Sequence, residues 1–289
     1  MKLTMKLNKG EISKRVAIYV ASITAFIVIL FPYIWTVLNS FKNVKEVNSV
    51  PPTFFPQEPT LANLLEIATG GALYRTDPWS VYFMNSAIVS SVTSLLATFI
   101  SIFAGYGFSR FRIRGNMFLL ILILVAMLFP GPVILIPTFE IMRNIGLADS
   151  LLGLGILYTA ILTPPLTWLL YINFKNFPTD FEEAAKVDGC TQLGAFLRVV
   201  VPMSRMVIAM IIVFAFLIAW SEFPFALILL RSSSNYTVPI GLETYISEFT
   251  IWWHLLSAAI VLYSIPLIAL FFLVQKTFIK GLTSGMLRG

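Results

Sequence analysis

Six stretches of the chain, about Val16 to Leu38, Asn85 to Phe108, Met117 to Ile136, Leu151 to Ile172, Met206 to Leu230 and Leu255 to Phe278, are apolar over 20 residues or more. Wound at about 1.5 Å per residue, a run of that length matches the roughly 30 Å hydrocarbon core of a bilayer. Lipid offers a backbone no hydrogen-bond partners, so each run is predicted to be a helix. Pro130, Pro132, Pro164 and Pro165 lie within these runs and predict kinks or short unwound stretches. The expected product is an all-α, polytopic membrane protein with six transmembrane helices. Residues 1–15 form one tail, 16–278 the membrane domain and 279–289 a second tail. Composition agrees, because 12% of the 289 residues are charged against roughly 25% in soluble domains.

Direction follows from the cations, which are retained on the cytoplasmic side. With the N-terminus inside, Lys2, Lys6, Lys9, Lys14, Arg15, Arg110, Arg112, Arg114, Lys175, Lys186, Arg198, Arg205, Lys276, Lys280 and Arg288 face the cytoplasm. Lys42, Lys45, Arg75, Arg143 and Arg231 face outward, although the outward segment from Asn39 to Met84 is the longest connection. Both termini are therefore expected inside. The basic start and the run that continues to Leu38 read as a retained first helix, not a cleaved signal. The cations are scattered between apolar runs instead of forming a stripe, which argues against nucleic acid as a partner. A single cysteine, Cys190, rules out an intrachain disulfide and a multi-thiolate zinc site.

The inward segment from Phe174 to Pro202 is more than a linker. Thr179 followed by Glu182 has capping-box spacing and predicts a short helix after Pro178. Gly189 suits a left-handed stop, and Thr191 can cap a second helix through Leu193, Phe196 and Val199 to Pro202. The pattern Glu183-Ala184-Ala185, three residues, Gly189, nine residues, Val199-Val200-Val201-Pro202 resembles the EAA loop of ATP-binding-cassette importer permeases. The segment from Trp220 to Leu230 and the ending from Gly281 to Gly289 are similar to the maltose-type, carbohydrate-importing subgroup, in particular its MalG-type subunits.

That resemblance implies a type I ABC importer permease (MetI-like) fold in the cell membrane of a prokaryote. It implies a second permease subunit, an ABC ATPase dimer and an extracytoplasmic solute-binding protein as partners, with lipid around them. Mg-ATP would sit on the ATPase subunits and no cofactor on this chain. It implies an ATPase-docking set of Asp180, Glu183, Ala184, Ala185, Asp188, Gly189 and Pro202. It also implies a binding-protein contact in the segment from Arg231 to Trp253, for which Ser233, Asn235, Tyr236 and Tyr245 are the candidates. The segment Ser232 to Tyr236 reads as a flexible, projecting loop.

Glu222 is the one acidic residue inside a predicted span, and an intramembrane carboxylate is costly enough to suggest function. It could line the pathway or gate, bond the partner permease, couple to protons, or be satisfied by nearby hydroxyls. Trp252 and Trp253 fit an interfacial belt or a contact with sugar or binding protein. His254 has no second histidine or carboxylate at ligand spacing. No phosphate loop is present, and Gly105-Tyr106-Gly107 belongs to a helix end. A secondary transporter or channel built on Glu222 is the rival reading, but it leaves the EAA spacing unexplained.

Overall fold

The computed structural model describes residues 9–70, 79–111, 114–247 and 249–286. In chain order its helices are α1 (Lys9–Ser40), α2 (Val44–Val47), α3 (Ala62–Thr69), α4 (Trp79–Arg110), α5 (Asn116–Val125), α6 (Gly131–Asn144) and α7 (Leu151–Lys175). They continue with α8 (Asp180–Val187), α9 (Gln192–Ala195), α10 (Val201–Met203), α11 (Arg205–Ser221), α12 (Pro224–Leu229), α13 (Val238–Glu243) and α14 (Trp253–Met286). A π-helical stretch, Phe196–Val200, joins α9 to α10. The only pairing of strand type among the described residues is a single bridge between Ile246 and Ile251.

Among the described residues, four stretches are long and apolar enough to cross a bilayer: Lys14–Ser40 in α1, all of α4, all of α7, and Trp253–Gln275 in α14. The other two predicted runs are interrupted. The run from Met117 to Ile136 is not one helix, because α5 ends after 10 residues, about 15 Å at the helical rise. A 3₁₀ turn at Ala126–Leu128 follows, Phe129 and Pro130 are extended, and α6 restarts at Gly131. Proline explains the break: it lacks the N–H that would continue a helix, and it disfavours helical geometry in the residue before it. The run from Met206 to Leu230 breaks at Glu222 and Phe223 for the same reason, with Pro224 starting α12. At the other end, α11 follows the Gln192–Met203 run at a bend of 75°. By contrast α7 passes unbroken through Pro164 and Pro165.

The described residues fall into two compact units, one within Met1–Ala68 and Tyr245–Leu262, the other within Thr69–Thr244 and Tyr263–Gly289. In the first, α1 exposes apolar side chains such as Ile18, Phe26 and Ile29, as expected of a surface meant for lipid or another apolar helix. The segment after it is knotted by polar groups. Buried Lys42 donates to Asn39 Oδ1 at 2.9 Å and Thr53 O at 2.6 Å, while its ammonium lies 4.5 Å from the Trp35 ring centre. Glu46 Oε1 accepts from Thr53 Oγ1 and the Gln57 N–H, both at 2.8 Å. Asn63 Nδ2 closes the knot on the carbonyls of Ser40 and Lys42.

The second unit is built on the α4–α7 pair. Hydrophobicity does not hold helices together in lipid, so close packing and interhelical hydrogen bonds must do so, and small residues allow the approach. Between the buried aromatics Trp79 and Tyr82 at one end and Tyr106 at the other, the buried face of α4 is accordingly mostly small: Ser86, Ser90, Thr93, Ser94, Ala97, Thr98, Ser101 and Gly105. Ser101 Oγ donates to Thr163 O at 3.1 Å. Opposite, α7 buries Leu154, Leu162, Leu166, Leu170 and Phe174 at helical spacing. At Gly105 the approach is so close that a Cβ would lie 2.9 Å from both Leu170 Cβ and Tyr171 N. Gly105→Val is therefore expected to cost about 1–3 kcal/mol by overpacking, whereas Gly107→Ala, which meets nothing within 4 Å, is expected to cost nothing and to stabilise the helix by up to about 1 kcal/mol. Thermal denaturation of the two variants in detergent checks the difference.

Candidate coupling and docking sites

The short helix α8 is held from behind. Thr179 does not cap it by its side chain, in contrast to the expected capping box; its carbonyl accepts instead from the N–H groups of Glu182 and Glu183 at 2.9 and 3.0 Å. Glu182 is turned into the protein, 2% exposed. Its Oε1 accepts from Arg110 Nε at 2.7 Å and its Oε2 from Tyr106 Oη at 2.8 Å. Arg110 Nη2 also donates to Phe177 O at 2.8 Å, and Gln192 Nε2 donates to Tyr106 Oη. The Tyr106 ring stacks on Phe196 with centroids 4.0 Å apart, and Phe174 packs on both rings edge to face. A carboxylate removed from water needs such partners, and the bonds of Glu182 and Gln192 tie α8 and α9 to the end of α4, while that of Phe177 ties in the segment before α8.

With Glu182 pointing inward, 100° per residue puts Asp180, Glu183, Ala184, Val187 and Asp188 on the far side of α8. All five are exposed, and Ala185 is half-buried. At the C-terminus Gly189 has φ +88°, a conformation that costs glycine no Cβ clash. Its N–H donates to Lys186 O at 3.0 Å and that of Cys190 to Ala185 O at 2.9 Å, the paired bonds of a Schellman stop. Thr191 accepts from Gly194 N and caps α9 as expected. Asp180, Glu183, Ala184 and Asp188 therefore share the outward surface of α8, to which the structure adds Val187 at 88% exposure and Phe181 at 49%, whereas Pro202 is exposed separately on α10. Both are apolar residues on a short polar helix, and that mismatch was the available signal. A cleft of about 260 Å³ beside this surface is lined by Arg110, Phe111, Thr179, Glu182, Glu183, Lys186 and Gln192.

Glu222 is not within a helix, contrary to expectation. It sits extended at the α11–α12 break, and its carboxylate accepts from the N–H groups of Phe225 at 2.9 Å and Ala226 at 3.2 Å. Tyr158 Oη donates to the same group. The carboxylate thus caps α12 and closes the gap that Pro224 opens. Tyr158, Ile161, Leu162, Ile218, Ala219 and Phe225 leave only about 50 Å³ beside it.

The segment read as a flexible projecting loop is fastened down. Asp149 Oδ1 accepts from the N–H groups of Arg231 at 2.9 Å and Ser232 at 3.0 Å, and Oδ2 from the Ser232 hydroxyl. Asn235 is turned inward, donating to Asp149 O at 2.7 Å. Asn85 Nδ2, in the second turn of α4, donates to the carbonyls of Ser234 at 2.8 Å and Tyr236 at 2.9 Å, and Ser86 Oγ accepts from Val238 N at 2.8 Å. Of the four predicted contact residues only Ser233 is fully exposed; Asn235 and Tyr236 are half-buried and Tyr245 is 5% exposed. The signal missed was the hydrogen-bonding capacity of Asn85, which donates, and Ser86, which accepts, near the start of α4. His254 is buried, and no cluster of metal-ligating side chains occurs among the described residues. Leu287–Gly289 of the C-terminal tail lie outside the described residues, as do Lys2, Lys6, Arg75 and Arg112.

The chain is thus a polytopic helical protein that carries an exposed short helix with a glycine stop between two of its spans. Residues 97–284 match the family described as binding-protein-dependent transport system inner membrane component, and the chain belongs to that family. The sulfoquinovosyl glycerol transport system permease protein SmoH of Agrobacterium fabrum is 35% identical over 90% of this chain and 89% of its own. The inner membrane ABC transporter permease protein YcjP of Escherichia coli is 32% identical over 99% and 100%. The trehalose/maltose transport system permease protein MalG of Thermococcus litoralis is 29% identical over 97% and 99%. In fold, the chain is similar to one in a crystal structure of a bacterial ABC transporter involved in the import of the acidic polysaccharide alginate. There the TM-score is 0.78 at 21% identity, over 94% of this chain and 99% of that one.

Two outcomes follow from this geometry. Glu182→Ala strands the Arg110 guanidinium without its carboxylate and is expected to destabilise the chain by about 3–5 kcal/mol, read as a fall in melting temperature. Burial alone would raise the Asp149 pKa, but the hydroxyl and N–H of Ser232, the N–H of Arg231 and the Asn235 amide outweigh it and hold the group at about 2. A carboxylate whose pKa falls on folding adds stability above its unfolded value of about 4, and that stability is lost as pH drops through the folded value. The hydrogen-exchange protection of residues 229–235, relative to intrinsic exchange at each pH, is therefore expected to fall between pH 4 and about pH 2, a loss that Asp149→Asn should lack.

Proposed function

We propose that this chain forms half of the translocation pore of an ATP-driven importer for a carbohydrate delivered by a solute-binding protein. The observation that carries the reading is the outward face of α8, with Ala184 and Val187 rimmed by Asp180, Glu183 and Asp188. Small apolar side chains allow deep entry into a groove, and the acidic rim suits basic or hydrogen-bonding partners. A sugar cargo is supported by the relatives, whose names cite sulfoquinovosyl glycerol and trehalose or maltose. Both termini and α8 lie in the cytoplasm in this reading, following the cation bias. A second permease completes the pore, and two ATPase subunits bind and hydrolyse Mg-ATP.

ATP binding closes the ATPase dimer and moves α8, and the spans attached to it swing as rigid bodies between inward- and outward-open arrangements. Each step is driven by a difference in affinity of ATP or binding protein for the two arrangements. Glu222 works at the gate as the joint of a broken span, its carboxylate fixing the α11–α12 corner. The outward contact for the binding protein is the exposed stretch Arg231 to Ser234, held in place by Asp149 and Asn85.

Ala184→Trp adds bulk on the outward face without touching the buried Glu182 contacts. In proteoliposomes holding the assembled importer, it is expected to abolish ATP-dependent sugar uptake and copurification of the ATPase while the chain still inserts. Uptake at the wild-type rate would contradict the docking assignment, and uptake by this chain alone without ATP would contradict the importer reading.

A further inference from the structure

The two docking segments are fastened to opposite ends of one helix. At the start of α4, Asn85 and Ser86 hold the backbone from Ser234 to Val238 by three hydrogen bonds of 2.8–2.9 Å. Tyr82, one turn earlier, lies against Tyr236, and its ring fills the space where Gly241 has no side chain. At the end of α4, Tyr106 and Arg110 hold Glu182 of α8, and Tyr106 accepts from Gln192 of α9. Ser86 and Arg110 are 24 positions apart within this helix, about 36 Å at 1.5 Å per residue, which exceeds the hydrocarbon thickness of roughly 30 Å.

The helix between these anchors also has no proline to interrupt its backbone hydrogen bonds. Among the described helices of more than 20 residues, α1, α7 and α14 contain proline and α4 does not. Its neighbour α7 also reaches the outer loop through Asp149, but Pro164 and Pro165 remove two backbone hydrogen bonds near its middle. An unbroken backbone ladder anchored at both ends moves as one body, so a displacement at one anchor is delivered to the other.

We propose that α4 is the strut that couples the two docking segments, with Asn85 and Ser86 as positioning residues at the outer end and Tyr106 and Arg110 at the inner end. This rests on the importer reading. It adds that a binding protein seated on Arg231 to Ser234 stimulates the ATPase through the axial position of this one helix. Coupling of this kind is reciprocal, so ATP binding also changes the affinity of the outer loop for its partner.

The test is a double-mutant cycle on the complete importer in lipid nanodiscs, reading the ratio of ATP hydrolysis with and without liganded binding protein. Asn85→Ala and Tyr106→Phe are each expected to lower that ratio by about fivefold or more, the lower end of ordinary coupling between sites. Residues so far apart normally act independently, but two breaks in one strut do not add, so the double variant should be no worse than the weaker single. A double loss equal to the product of the single losses, or a wild-type ratio in either single variant, overturns the strut. Should either variant fail to assemble, Ser86→Ala and Gln192→Ala probe the same ends and are judged by the same outcomes. A wild-type complex that no binding protein stimulates contradicts the importer reading as well, whereas a stimulated wild type with an additive cycle contradicts the strut alone.

Discussion

The buried carboxylate of Glu182 determines how the α8 end of the second unit is assembled. A charged group 2% exposed persists only when its partners replace water, and here the guanidinium of Arg110 and the hydroxyl of Tyr106 do so. The requirement fixes three things together. The Arg110 side chain is drawn off solvent and closes on Phe177. The Tyr106 ring is held flat against Phe196. The other side of α8 has only one direction left to face, which is outward. An exposed helix of eight residues would be marginal alone; this one has a defined orientation because one of its side chains belongs to the interior.

The same economy of small residues and polar anchors recurs along α4 and α7. Gly105 sets the depth of approach opposite Leu170, and hydroxyls such as that of Ser101 supply interhelical bonds. Where the backbone is interrupted, a side chain stands in for the missing ladder, as Glu222 does at the N–H groups of Phe225 and Ala226. The interruptions fall in the third and fifth runs, not in α4, so the second unit combines a continuous strut with jointed neighbours.

Much of this was legible in the sequence. Apolar run length placed the spans, and the segment from Glu183 to Pro202 holds the short exposed helix and glycine stop that its residue types predict. Gly189 and Thr191 adopt the roles their residue types predict because those roles are local, decided within three or four residues. What sequence reading missed is non-local. Thr179 and Glu182 have the spacing of a capping box, but Arg110, 72 positions away, competes for the same carboxylate and wins, since an ion pair to a charged partner outweighs one N–H bond. Asn235 reads as an exposed loop residue until Asp149, 86 positions away, turns it inward. Run length also hides breaks: hydropathy counts side chains, whereas Pro130 and Pro224 act through a missing N–H.

The central claim is that α8 and the end of α4 move together while the importer changes state. Replacing Cys190 by serine removes the chain's single cysteine, after which spin labels can be placed at Gly107→Cys, where a side chain meets nothing within 4 Å, and at the exposed Val187→Cys. Double electron–electron resonance on the assembled importer would then follow the α4–α8 distance with nucleotide absent, bound and hydrolysed. An unchanged distance distribution across those states, in a complex whose outer face opens and closes, is the predicted result. A distribution that shifts by several ångströms between states would contradict it.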